Sequence, residues 1–235
     1  MQIIPLILDF IIPRFCVSCG RKLKTGEQFI CSNCFSQIAR LSDKEIENEY
    51  NRKFKNSEFV SSYTALFNFE EGGKLQDLIH ELKYNRKFGI GIFLGKILAD
   101  ANYDLLKKWD ADLIIPIPLF HLKKIERGFN QSDYIAKGVA EKLGIPYYTA
   151  TAKRIRNTPS QTKLNLLERT ENMRDAFKIK KPSKIKGKKI IIVDDVITTG
   201  ATVRELAKIL KESGAKDIFA LSVATPLHLF GSGNS

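Results

Sequence analysis

Two groups of residues have the types and spacing that chemistry needs. All four cysteines fall in the first 34 residues, as Cys16-Val-Ser-Cys19 and Cys31-Ser-Asn-Cys34, with eleven residues between the pairs. Two Cys-x-x-Cys turns that close on each other make a tetrahedral four-thiolate site, which in a reducing compartment reads as structural Zn2+ rather than two disulfides. An iron–sulfur cluster and a redox pair are the alternatives. Gly20 and Gly26 stand where such a knuckle turns tightly. With no fifth ligand nearby the site is expected to be closed, stabilising a module too small to have a core of its own.

The second group is Asp194-Asp195-Val196-Ile197-Thr198-Thr199-Gly200-Ala201-Thr202, between an apolar run and a helical pattern. A hydroxyl-rich turn at a helix N-terminus presents N–H groups and threonine hydroxyls to a phosphate. The absence of Gly-Lys-Ser/Thr means that this is not a Walker loop. Two carboxylates beside a phosphate cradle suit a sugar phosphate, whose vicinal hydroxyls donate to them.

The surrounding pattern says what must hold these residues. Tyr63, Ala65, Phe67 and Phe69 alternate as one face of a half-buried strand that ends at Gly72-Gly73. Leu75, Leu78, Ile79 and Leu82 repeat as an amphipathic helix whose end carries Lys83, Arg86 and Lys87, and a second helix runs through Phe93 and Leu98. Leu113–Ile117, Ile190–Val193 and Ile218–Val223 read as apolar strands, separated by helices over Ser132–Leu143 and from Val203 to Leu210, closed by Gly214. Strand–helix alternation with continuously apolar strands implies an α/β domain, a parallel sheet flanked by helices on both faces. In such sheets ligands bind at the carboxyl ends of the strands, where Asp194 falls.

The expected organisation is a four-cysteine module over 1–45, a polar helix-and-linker connection over 46–58, the α/β domain over 59–229 and a tail over 230–235. The net charge is +12, and the segment from Lys153 to Lys189 holds thirteen basic residues against three acidic ones. Such a field attracts polyanions, either phosphorylated small molecules or nucleic acid, although a solvated lysine-rich surface also accounts for it. The apolar stretch Ile3–Ile12 is broken by Pro5 and Asp9 and is about half of the ~20 residues that span a bilayer. With neither a secretory signal nor a transmembrane helix to be read, the expected location is the cytoplasm.

At this point the sequence resembles a family. Val193–Thr202 matches the phosphoribosyl pyrophosphate (PRPP) motif of type I phosphoribosyltransferases. Further blocks are similar to the ComF family of competence-associated proteins: Pro13-Arg14-Phe15-Cys16, Leu82-Lys83-Tyr84, Arg127-Gly128-Phe129-Asn130-Gln131, and Asn157-Thr158-Pro159-Ser160-Gln161-Thr162 with Arg169. The resemblance implies a type I phosphoribosyltransferase fold. It also implies that Asp194 and Asp195 hold the ribose hydroxyls, that Thr198, Thr199, Gly200, Ala201 and Thr202 hold the 5′-phosphate, and that Lys123, Lys124 and Arg127 lie in the pyrophosphate loop. Arg169, in the loop that closes over PRPP, joins Arg154, Arg156 and Lys163 in stabilising the pyrophosphate, and Mg2+ bridges the ligand's hydroxyls and pyrophosphate oxygens. Asp194, Asp195, Arg127 and Arg169 are the implied catalytic residues.

Members of the family are linked to natural transformation, which implies single-stranded DNA and membrane-associated DNA-uptake machinery as partners, at the inner face of the membrane. Phe129, Tyr134, Tyr147 and Tyr148 fit base stacking, but core or hood positions account for them better. No acceptor can be read from Gly72–Tyr103 or from the cysteine module. Two functions therefore stand: a PRPP-binding factor that handles DNA, and an active phosphoribosyltransferase with an unknown base or amine acceptor.

Overall fold

The computed structural model describes residues 13–156 and 175–227. The Ile3–Ile12 stretch, Asn157–Thr162, Lys163, Arg169 and the tail lie outside the described residues. Six strands are β1 (Ser62–Asn68), β2 (Leu113–Pro116), β3 (Ala152–Arg154), β4 (Phe177–Ile179), β5 (Lys189–Val196) and β6 (Asp217–Thr225). Eight α-helices are described: α1 (Ser32–Ser36), α2 (Asp43–Phe54), α3 (Lys74–Tyr84), α4 (Phe88–Ala101), α5 (Tyr103–Trp109), α6 (His121–Arg127), α7 (Gln131–Leu143) and α8 (Ala201–Glu212).

The main sheet has the order β1-β6-β5-β2, and all its pairings are parallel. Its central strands are apolar on both sides because both faces are covered. Ile191 and Val193 of β5 face one core with Leu94 of α4 and Val139 of α7. Ile190 and Ile192 face the other, with Leu206 and Leu210 of α8. The expected single apolar face of β1 is corrected by the structure. Residues 63–67 are buried without a break; Tyr63 and Ala65 join one core and Leu66 and Phe67 the other, because helices cover the sheet edge from both sides.

The cysteine module shares this core, as a unit without a core of its own must. Cys16, Cys31 and Cys34 are buried with Leu75 and Leu94, and the ring of Phe29 meets Phe93 edge-on at 5.7 Å. From the module the chain pairs briefly with β1, Leu41 N–H donating to Leu66 O at 3.0 Å, and enters α2 through a capping box of Ser42 and Glu45. The stretch 46–58, expected as a connection, is mostly this helix. It buries Glu49, Lys53 and Phe54 against the sheet.

Helices α4 and α7 cross at two glycines. A Cβ on Gly95 would lie 2.1 Å from Ile135 O, and one on Gly138 2.3 Å from Ile92 O, so only glycine lets the backbones approach this closely. The crossing fixes the first turn of α7, which carries Ser132, against the carboxyl end of β5.

Candidate functional site

The acidic pair sits where β5 ends. The Asp194 carboxylate accepts from Ser132 Oγ and from the Asp195 N–H, both at 2.9 Å. Asp195 is 5% exposed, and its Oδ2 lies 2.5 Å from Lys83 Nζ, at the end of α3. Burial, followed by the Asp195 charge, pushes Asp194 up to about 8. Burial also works to raise Asp195, but the Lys83 ammonium outweighs it and holds that carboxyl below its usual range. Lys83, despite its burial, is held above its ordinary value by the same two carboxylates.

Around this pair the structure gathers cations from three elements. Burial and then the charges of Arg154 and Arg127 push Lys123 below its ordinary value, with Lys83 contributing. Lys123 and Arg127 come from α6, Arg154 from β3 and Lys83 from α3. Like charges crowd together at a cost unless an anion is shared among them. Arg127 also donates to Gln131 Oε1 at 3.1 Å and stands 5.5 Å over the ring of Tyr84.

After Asp195 the chain turns through 196–200 into α8, enclosing a hollow of about 40 Å³ lined by Asp194 and 196–203. That is room for roughly three waters, the scale of one phosphate. Gly200, at φ +75°, forms the N-cap with no side-chain cap, and the first turn of α8 carries no acid. The Ala201 N–H donates to Thr199 Oγ1 at 3.4 Å, and the positive end of the helix favours an anion beside it.

The four cysteine Sγ atoms lie within 4.8 Å of one another, and Cys19 and Cys31 are 3.8 Å apart. Metal–sulfur bonds of about 2.3 Å place tetrahedral thiolates about 3.8 Å from each other. The N–H groups of Cys31 and Cys34 donate to the sulfurs of Cys16 and Cys31, each at 3.4 Å. Burial opposes ionisation of Cys16, yet the N–H groups of Cys31, Cys19 and Ser18 bring it down to about 6, toward the thiolate a metal takes. The cluster fits a metal ion.

The model of the phosphoribosyl transferase domain family matches residues 131–228, from the first residue of α7 past the end of β6. Competence protein F of Haemophilus influenzae is 28% identical over 208 residues, 87% of this chain and 81% of its own length. A DNA utilization protein, YhgH of Escherichia coli O6:H1, is 30% identical over 219 residues, 88% of this chain and 95% of its own length. The chain belongs to the ComF family. Competence protein ComFC of Streptococcus pneumoniae, 28% identical over 88% of this chain and 98% of its own, extends the likeness. Among solved structures, an allosteric regulatory enzyme of purine biosynthesis is similar at 25% identity over 57% of this chain, with a TM-score of 0.39. This chain spans only a quarter of that enzyme. An adenine phosphoribosyltransferase is 18% identical over 63% of this chain and 74% of its own, with a TM-score of 0.38.

In this ComF-family chain the fold is the type I phosphoribosyltransferase fold, and the structure brings most of the expected residues together. Asp194 and 198–202 line one hollow, Asp195 is buried next to Asp194 against Lys83, and Lys123 and Arg127 act on each other and on Lys83. Lys124, from another side of α6, lines a second hollow of about 220 Å³ with His121, Asp133, Lys153, Arg154 and Lys180. Arg169 lies outside the described residues. The sequence reading left Lys83 without a role, although the Leu82-Lys83-Tyr84 block and the basic end of its helix were the available signal. Ser132 carried no signal at all. Of the aromatics considered for stacking, Phe129 is buried between Phe88 and Tyr134, and Tyr134, Tyr147 and Tyr148 are half-buried. No helix among the described residues is long and apolar enough to cross a membrane.

Proposed function

We propose that the chain binds PRPP, with Mg2+, in the cleft around Asp194 and Asp195 and serves the handling of incoming single-stranded DNA on the cytoplasmic side of the membrane. The observation that carries the ligand is the acid pair set between a phosphate-sized hollow on one side and Lys83, Lys123, Arg127 and Arg154 on the other. A ribose carrying phosphate at one end and pyrophosphate at the other has this distribution of charge and hydroxyls. The process is supported by the relatives, named for competence and DNA utilization. The division into a cysteine module over 1–45 and a PRPP-binding body over 59–229 belongs to the same reading, with Zn2+ as the metal of the closed four-thiolate cluster.

On this reading Asp194 and Asp195 accept from the ribose hydroxyls, and Lys83 keeps Asp195 ionised for that task. Burial, ahead of the Asp195 charge, raises the proton affinity of Asp194, and a divalent cation arriving with the pyrophosphate would favour its ionised form and shield the ligand's charge. DNA would run over the β3–β4 hairpin, where Lys153 stands directly opposite Lys178. Like charges facing each other across a strand pair are destabilising, and a phosphodiester backbone lying on them removes the repulsion.

A second reading, phosphoribosyl transfer to a base or amine, is favoured by the same cations. As the bond from C1 of the ribose to pyrophosphate breaks, negative charge grows on the leaving oxygen, and Lys123, Arg127 and Arg154 are grouped where they would meet it. Calorimetry with PRPP and Mg2+ tests both readings at their shared step. Micromolar binding that is lost in Asp195→Asn, with metal content unchanged, is expected; no binding by the wild type would refute them.

A further inference from the structure

We propose that Arg52, Lys53 and Arg204 form a clamp that turns the backbone of the 197–200 loop toward the 5′-phosphate, acting as positioning residues of that cradle. This rests on the PRPP reading for the identity of the ligand and on contacts for everything else.

Three consecutive carbonyls of the loop are held from behind by cationic side chains. Ile197 O accepts from Lys53 Nζ at 2.7 Å, Thr198 O from Arg52 Nη2 at 3.3 Å, and Thr199 O from Arg204 Nη1 at 3.0 Å. Thr225 Oγ1 donates to Ile197 O as well, at 2.8 Å, and itself accepts from Lys53 Nζ. In a planar trans peptide the N–H points away from the C=O of the same unit. Drawing these three carbonyls to one side therefore sends the N–H groups of Thr198, Thr199 and Gly200 to the other. Among the described residues no protein group accepts from those three N–H groups.

The clamp is locked into the fold. Arg204 Nη1 also donates to Lys53 O at 2.6 Å, tying α8 to the last turn of α2. Glu49 pairs with Lys53 at 2.9 Å and with Arg52 at 2.5 Å. The ring of Phe54 lies against Gly200, where an added Cβ would come within 2.9 Å of it. Lys53 is 3% exposed and Glu49 4%. Burying an ammonium and a carboxylate is costly, and a packed apolar pair would hold a helix at least as well. An apolar pair would not hold carbonyls, nor place positive charge behind a phosphate. None of these residues falls in the family motifs or in the segment expected to bind ligand.

The test uses Arg204→Gln, Arg204→Lys and Arg52→Ala in the full metal-loaded protein, Arg52 being partly exposed and mild to remove. Affinities for PRPP, ribose 5-phosphate and inorganic pyrophosphate are measured by calorimetry, and amide hydrogen exchange is followed at 198–200 without ligand. Arg204→Gln is expected to weaken PRPP and ribose 5-phosphate about tenfold or more, to leave pyrophosphate within twofold, and to speed exchange at the loop, with Arg204→Lys intermediate. A general loss of fold would weaken all three ligands alike. Unchanged ribose 5-phosphate affinity together with unchanged loop exchange in a folded Arg204→Gln protein would overturn the clamp. If wild type binds neither sugar phosphate, the PRPP reading fails, and loop exchange alone decides the clamp: faster in Arg204→Gln upholds it, unchanged refutes it.

Discussion

Replacing Asp194 with Asn should make the protein more resistant to unfolding at pH 8 while costing it its ligand. Asp194 titrates near 8 in the fold, against 3.8 for an ordinary aspartate, because burial and the adjacent Asp195 disfavour its charge. Between those values the native state holds a proton that the unfolded chain has released, so stability falls as pH rises through this window. Asp195 moves the other way, and its contribution is lost only as pH drops below about 3.8. Each decade is worth about 1.4 kcal/mol, and since two coupled carboxyls share their protons the penalty on wild type at pH 8 is of order 2–5 kcal/mol. Asn keeps an acceptor for Ser132 Oγ and the Asp195 N–H and carries no charge to bury. The single tryptophan, Trp109, is 6% exposed and stacked on Phe219, so its fluorescence reports urea unfolding. The gain of the variant over wild type should grow steadily from pH 5 to pH 8. Parallel stability curves across that range would refute the reasoning about the acidic pair.

Other perturbations separate the remaining parts. Chelating the metal or making Cys31→Ser should lower the unfolding midpoint of the whole molecule, since the cysteines share the main core; an unchanged midpoint with the metal gone would contradict a structural role. Gly95→Val forces a side chain into the backbone of α7 and should cost about 3 kcal/mol or more, read by urea unfolding; a cost near zero would mean that the helices can part freely. Lys153→Ala with Lys178→Ala should weaken single-stranded DNA binding and reduce the slope of log affinity against log salt by about 1–2. An unchanged slope would place the DNA elsewhere.

Where one residue type has one physical use, the sequence was a sufficient guide. Paired Cys-x-x-Cys turns cluster as expected, and an acid pair followed by threonines and glycine before a helix lands at a sheet's carboxyl end. Apolar runs flanked by helical patterns become parallel strands for the same reason. What stayed hidden depends on distance in the chain. Arg52 and Lys53 look like solvated charges in a polar stretch, and only the fold brings them to carbonyls some 146 and 144 residues away. Lys83 stood in a recognised block, yet its partner Asp195 is set by how α3 docks. The period-two reading of β1 failed because both of its faces are covered, whereas Phe129 lies in the core, as the reading of the aromatics as core or hood residues expected.

The ligand proposed is a sugar bearing phosphate at both ends, and phosphorus NMR of PRPP titrated with the metal-loaded protein and Mg2+ reads both ends at once. The 5′-phosphate and both pyrophosphate resonances should shift or broaden together, saturate at one ligand per chain, and return to their free positions with Asp194→Asn plus Asp195→Asn. Resonances that stay at their free positions, or a pyrophosphate that shifts while the 5′-phosphate does not, would contradict it.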